Sequence, residues 1–198
     1  MKAIRNKYLL LAAALALAAV TSVQAIPITG TIDMSGTANL DSTLLGSATK
    51  ATSFTAVTVG GVPTGAYVGT FGDSVAWNGF GWNPPTTPVN PLWSFTDAGT
   101  GFTYSFNLAT VGVVSQDNSF LNILGTGSLT ITGAGSPYDT TDGQWSFTIS
   151  NPGGGSHANF AFTFANSQTG ATVPDGGMTV ILLGTGLAGL GLLRRKLA

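Results

Sequence analysis

The chain offers one histidine, no cysteine and no glutamate as raw material for chemistry. His157 lies in the stretch GGGSHAN, directly after Ser156. A serine hydrolase would need His157 as base, Ser156 or another serine as nucleophile, and an aspartate to orient the ring. No nucleophile-elbow pattern surrounds that serine, so an exposed loop histidine is the expectation. A lone histidine without thiolates also leaves too few ligands for a transition-metal site. A hard cation is the remaining option, because calcium takes carboxylate and carbonyl oxygens. The turn YDTTDG places Asp139 and Asp142 three residues apart, which makes them the calcium candidate. It does not match the twelve-residue EF-hand loop, and aspartate beside glycine is also ordinary turn chemistry. No catalytic residue, metal or cofactor is therefore expected.

Large aromatics give a different kind of site. Trp77, Phe80, Trp82 and Trp93 fall within a proline-rich stretch, WNGFGWNPPTTPVNPLW. Exposed on a loop, they would form a platform for sugar rings or another apolar partner. Folded inward, they would plug one end of the core, which is the commoner fate of such side chains. Pro84, Pro85, Pro88 and Pro91 cannot donate to a ladder, so the stretch is expected to be a long loop. The glycines of GTGSLT lack the strand–loop–helix setting of a phosphate cradle and read as turn residues.

The elements that would carry these residues are strands. In GFTYSFNLAT, Phe102, Tyr104, Phe106 and Leu108 alternate with polar residues, which places them on one face of a pleated strand. QWSFTIS sets Trp145, Phe147 and Ile149 on one face, and ANFAFTFAN does the same with Phe160, Phe162 and Phe164. Residues 52–59, 92–96, 120–124 and 128–132 are further strand candidates. Glycine, asparagine, aspartate and proline clusters separate them. No helical stripe and no fixed-period repeat is present. Many short strands with turns between them predict an all-β body over residues 26–172, an antiparallel β-sandwich or jelly roll. Uncharged aromatic strands such as residues 159–164 also carry a tendency to edge pairing and fibre formation.

Charge is distributed unevenly. Six of the seven basic residues lie at the two ends, and Lys50 is the exception. The body from Ile26 to Val173 holds one lysine against seven aspartates, a balance of −6. That excludes nucleic acid as a partner, since phosphate binding needs clustered lysine or arginine. Without cysteine there are no disulfides, and the core alone must hold the fold.

Both ends read as processing segments. Residues 1–25 have basic residues at Lys2, Arg5 and Lys7, an apolar run over residues 8–20, and Val23-Gln24-Ala25. This is the layout of a signal peptide, a signal helix cleaved between Ala25 and Ile26, and it implies the Sec export machinery and signal peptidase. At the other end, residues 178–193 carry no charge. As a transmembrane helix they would reach about 24 Å, the short edge of a membrane span. Arg194, Arg195 and Lys196 follow, a basic stop that stays cytoplasmic under the positive-inside rule. The basic ends stay inside and the body between them lies outside.

A permanent anchor would account for the span and its charges, but not for the residues before it. Val173-Pro174-Asp175-Gly176-Gly177, the apolar stretch and Arg194-Arg195-Lys196 resemble the carboxy-terminal sorting signal of the PEP-CTERM class. The form is the VPDSG-CTERM variant, in which Ser-Gly usually follows Val-Pro-Asp, so Gly176 departs from the pattern. More loosely, the body is similar to the glycine- and threonine-rich bodies of many such proteins. The resemblance implies processing by an exosortase, a membrane-embedded cysteine enzyme of Gram-negative bacteria. It implies transient anchoring in the inner membrane, removal of the apolar and basic tail by a cut at the motif, and delivery of the body to the cell surface or extracellular matrix. Exopolysaccharide is the candidate partner in that setting. The function expected is thus that of an exported, non-enzymatic surface or matrix protein. The alternatives are a carbohydrate-binding module using the 77–93 loop and a permanently anchored surface protein.

Overall fold

The computed structural model describes residues 26–168. The signal segment with Ala25 and the sorting segment 173–198 lie outside the described residues. The elements are β1 (Ile26–Pro27), β2 (Gly30–Leu40), β3 (Lys50–Gly60), β4 (Ala76–Trp77), β5 (Phe80–Gly81), β6 (Val89–Thr96), β7 (Thr103–Gln116), β8 (Phe120–Thr132), β9 (Tyr138–Asp139), β10 (Thr141–Ser150) and β11 (Phe160–Gln168). Two short 3-10 turns, Leu45–Ser47 and Gly65–Tyr67, complete them. Among the described residues there is no α-helix, and none long and apolar enough to cross a membrane.

The period-two pattern is carried out as the physics of a pleated strand requires. Tyr104, Phe106 and Leu108 of β7, Trp145, Phe147 and Ile149 of β10, and Phe160, Phe162 and Phe164 of β11 are all buried. The polar residues between them face out. Ile32, Met34 and Ala38 of β2 do the same, an alternation present in TIDMSGTANL. Candidates 120–124 and 128–132 are one strand, β8, because Gly125 and Gly127 continue the ladder instead of turning it. Their bare α-carbons leave room for rings. A Cβ on Gly125 would sit 2.7 Å from the Trp145 indole nitrogen, and one on Gly127 would sit 2.3 Å from the Phe106 ring.

The all-β, antiparallel expectation holds, but the layers differ from a sandwich. All the long strands belong to one nine-stranded sheet in the order β4-β6-β7-β8-β10-β11-β2-β3-β5, antiparallel throughout. A separate two-stranded parallel pair joins β1 to β9. Long strands pair with their neighbours in sequence, and β11 returns to β2 over the register Phe160↔Ala38 to Gln168↔Gly30. The two outermost strands, β4 and β5, are separated in sequence only by Asn78 and Gly79. The same segment bonds to β3 through Val59 N–H to Asp73 O at 2.9 Å and Val75 N–H to Val57 O at 2.9 Å. The sheet therefore curls until its ends meet, which removes most exposed edges.

One edge remains. β6 pairs with β7 only from Val89↔Leu108 to Thr96↔Thr103, because Pro84, Pro85 and Pro88 precede it and cannot donate to a ladder. Pro91 is accommodated within β6 by a register shift between Val89 and Trp93. The stretch expected to be loop is thus loop only in part, since it contains β5 and the start of β6. Beyond Leu108, β7 continues to Gln116 paired with β8 alone. The tendency to edge pairing does not belong to residues 159–164, since β11 lies mid-sheet between β10 and β2.

Candidate functional site

The four platform candidates are core residues. Phe80, Trp82 and Trp93 are buried and Trp77 is partly buried. Trp77 lies 4.9 Å from Phe54 and 4.9 Å from Phe164, centroid to centroid. Trp93 stacks on Phe106 at 5.6 Å, and Phe80 meets Phe147 edge-on at 5.4 Å. Trp82 donates its indole N–H to the Ala48 carbonyl at 3.2 Å. No aromatic platform faces solvent in the 77–93 stretch. These rings bury their area in the interior of the curled sheet, where it contributes most to stability.

Candidates for metal or proton chemistry are dispersed. His157 is exposed, its ring 5.7 Å from Phe160 and tilted 70° to it, and its backbone N–H donates to Thr43 O at 2.9 Å. Ser156 beside it is exposed as well. Asp139 and Asp142 are exposed on β9 and β10. No group of three His, Cys, Asp or Glu side chains converges to hold a metal among the described residues.

The aspartates that the fold does engage are turn-makers. Asp97 receives N–H bonds from Gly99 at 3.0 Å and Thr100 at 2.9 Å, and the Thr100 hydroxyl at 2.6 Å. These bonds hold its carboxyl below the usual range. Asp41 accepts from Thr49 N–H at 2.8 Å, Thr49 Oγ1 at 2.5 Å and Lys50 N–H at 3.2 Å, closing the connection between β2 and β3. Desolvation pushes its carboxyl up, but these bonds outweigh it and leave it lowered. Asp73 is raised instead, by desolvation and then by the charge of Asp97, and its Oδ2 has no hydrogen-bond partner. Nearby Tyr104 is pushed up to about 12 by burial and then by Asp97. Buried Tyr67 is raised further, and its hydroxyl donates to Gln168, whose amide donates to Asn166 at 2.7 Å. Such groups stay protonated at neutral pH and serve the core.

The outer face is concave in several places, one of them a shallow depression of about 470 Å³ over residues 110–114 and 124–126. A half-open groove of about 650 Å³ runs across β7, β8, β10 and β11. Thr126, Ser128, Asp142, Gln144 and Ser167 line it, with Gly127 and Gly143 at its floor. Gly127 and Gly143 are direct ladder partners, so two bare α-carbons lie side by side there. An adjoining depression of about 250 Å³ shares Gln144 and Ser167 and adds Thr31 and Asp33. The sequence reading did not single out Gln144 or Ser167. Their only signal is position: they are outward residues on strands whose inward neighbours are aromatic or amide.

Against known proteins, residues 172–197 match the family model described as the VPDSG-CTERM motif. The tail is a VPDSG-CTERM sorting motif. As the C-terminal sorting signal of the PEP-CTERM class, a VPDSG-CTERM tail marks an exported, exosortase-sorted protein. The matched residues run from Thr172 through Val173-Pro174-Asp175 to the basic stop, and Gly176 lies within the match. No curated protein and no solved structure matches the chain.

Proposed function

We propose that this chain is a non-enzymatic structural protein of the outer cell surface or extracellular matrix of a Gram-negative bacterium. Export through the inner membrane leaves the body outside. An exosortase then cuts at the VPDSG-CTERM motif and releases or attaches the body. The observation that carries this reading is the motif match over residues 172–197. The signal-like first 25 residues and the charge-poor, threonine-rich body agree with it. His157 and Ser156 stand exposed on one loop, outside the outer groove, which agrees with a non-catalytic role. The experiment is deletion of the exosortase in the host. The account expects full-length protein to accumulate in the inner-membrane fraction of the deletion strain and to leave it when the enzyme is restored. Identical size and location in both strains would contradict it.

Association with exopolysaccharide belongs to the same proposal. Its support is the outer groove, whose hydroxyls, amide and carboxylate suit sugar hydroxyls without an aromatic stack. Purified exopolysaccharide should bind the exported protein and bind it less after Gln144→Ala. Equal binding would remove the groove from the account.

A further inference from the structure

We infer that the free edge of β7 pairs two copies of this protein into a symmetric dimer. Past Leu108 this strand has β8 on one side and no strand on the other among the described residues. Ala109, Thr110, Gly112, Val113, Val114 and Ser115 are exposed. Val113 and Val114 are 41% and 59% exposed, and Leu124 beside Gly112 in the ladder is 46% exposed. An exposed, apolar, unpaired edge of this kind is a template for strand addition.

Charge selects a second copy as the occupant. The body is acidic, so two copies repel across most of their surfaces. β7 and β8 carry no charged residue, so this edge is among the surfaces where that repulsion is weakest. Asp117 lies in the turn between them, one residue past the end of β7. Antiparallel pairing about a two-fold axis at Gly112 sets Val111 of each copy opposite Val113 of the other. Their partners on β8, Gly125 and Ile123, show that both valines project to the same face, as paired residues must. The two Asp117 carboxylates then lie ten positions apart, about 30 Å at ~3.3 Å per residue, well beyond the ~8 Å screening length at physiological salt.

Two features make the pairing a closed dimer and not a fibre. Register shifts at Leu108/Thr110 and Val113/Ser115 leave residues 110–113 as the regular part of this edge, and such bulges twist an edge away and end pairing. The other end of the nine-stranded sheet is occupied by the segment containing β4 and β5, so among the described residues that sheet offers one long edge. An interface of one patch used twice closes at two copies.

The cysteine-free chain permits a direct test. Gly112 is not in a positive-φ conformation, and a Cβ there meets nothing closer than Leu124 O at 3.9 Å. Gly112→Cys places two thiols at the dimer axis, within the Cα separation of ~4.4–6.8 Å that a disulfide spans. Full-length Gly112→Cys, expressed with its own signal and tail and oxidised with copper–phenanthroline, should run as a band of twice its mass that reductant abolishes. Ala161→Cys, exposed on mid-sheet β11, should stay monomeric under the same oxidation. Adding Val113→Lys to Gly112→Cys should cause loss of most of the dimer. Sedimentation of the unmodified full chain in detergent gives a second readout, dimeric for the parent and monomeric for Val113→Lys. Cross-linking of Gly112→Cys no greater than Ala161→Cys, a dimer indifferent to Val113→Lys, or adducts at masses other than twice the chain would each overturn the inference.

Discussion

Gly127→Ala isolates the close approach on which the interior of the sheet depends. In a strand interior, glycine is ordinarily worse than alanine by about 0.5–1 kcal/mol, so propensity alone says that the change stabilises. The local geometry says the opposite. The new Cβ would lie 2.3 Å from Phe106 Cζ, 2.7 Å from Phe106 Cε1 and 2.3 Å from the Asn107 carbonyl oxygen. Relief needs a shift of more than an ångström, and Phe106 is fully buried with Trp93 stacked on it at 5.6 Å and Phe164 at 6.3 Å. The Asn107 oxygen belongs to the neighbouring strand and is held by the ladder. Overpacking of this kind costs about 1–3 kcal/mol, and two blocked directions place it toward the upper end. After the propensity gain, a net loss of about 2 kcal/mol is expected, near 1 M in urea midpoint for a slope of about 2 kcal/mol/M. Gly60→Ala on β3 is the control, since a Cβ there meets only Ser35 Oγ at 3.9 Å. It should leave the midpoint level or raise it. The assay is urea unfolding followed by tryptophan fluorescence. If Gly127→Ala is as stable as Gly60→Ala, the packing of Phe106 over β8 is wrong.

Two further changes probe other parts of the body. Trp77→Ala combined with Trp82→Ala empties two neighbouring parts of one interior, at about 3–5 kcal/mol for a buried tryptophan. Circular dichroism should show loss of folded structure, and retention of the parent spectrum would return the rings to the surface. Acid should weaken the fold through Asp41 and Asp97. Their folded values lie below 3.8, so the stability they contribute is present above that value and is lost as pH falls through the folded values. Asp73 has the opposite sign, because its raised value favours the folded state on protonation. Asp73→Asn should therefore lose urea stability more steeply than the parent between neutral pH and pH 3.8. A parallel or shallower pH profile would show that desolvation and the charge of Asp97 do not raise Asp73 in the folded state.

The sequence made the strands legible and the closure obscure. Three aromatic alternations, ending in Leu108, Ile149 and Phe164, identify faces because the pleat has a period of two and these faces are buried. β2 carries the same signal in Ile32, Met34 and Ala38, interrupted by Gly36 and diluted by threonines. Local pattern cannot say that β11 returns to β2, because that contact joins residues more than a hundred positions apart. Nor can it say that the segment with β4 and β5 bridges both ends of one sheet, which is why two sheets were expected and one curled sheet is found. Gly125 and Gly127 read as turn residues since glycine punctuates turns, whereas here it admits Trp145 and Phe106 across the strand. The four aromatics of the 77–93 stretch drew notice as a surface feature because prolines surround them. Burial outweighs that signal, since each ring removes a large apolar area from water when it turns inward. The groove lined by Gln144 and Ser167 left no mark of its own, as polar outward residues are what any strand presents.

The tail is the reverse case, legible in sequence as a motif and matched as one. The central claim is that the chain is exported and then trimmed at that motif. Mass spectrometry of both termini of the protein recovered from its host tests it most directly. The account predicts a first residue of Ile26 and a last residue within or next to Val173–Gly177. A protein that still ends in Lys196-Leu197-Ala198 would contradict it and leave the segment as a lasting anchor.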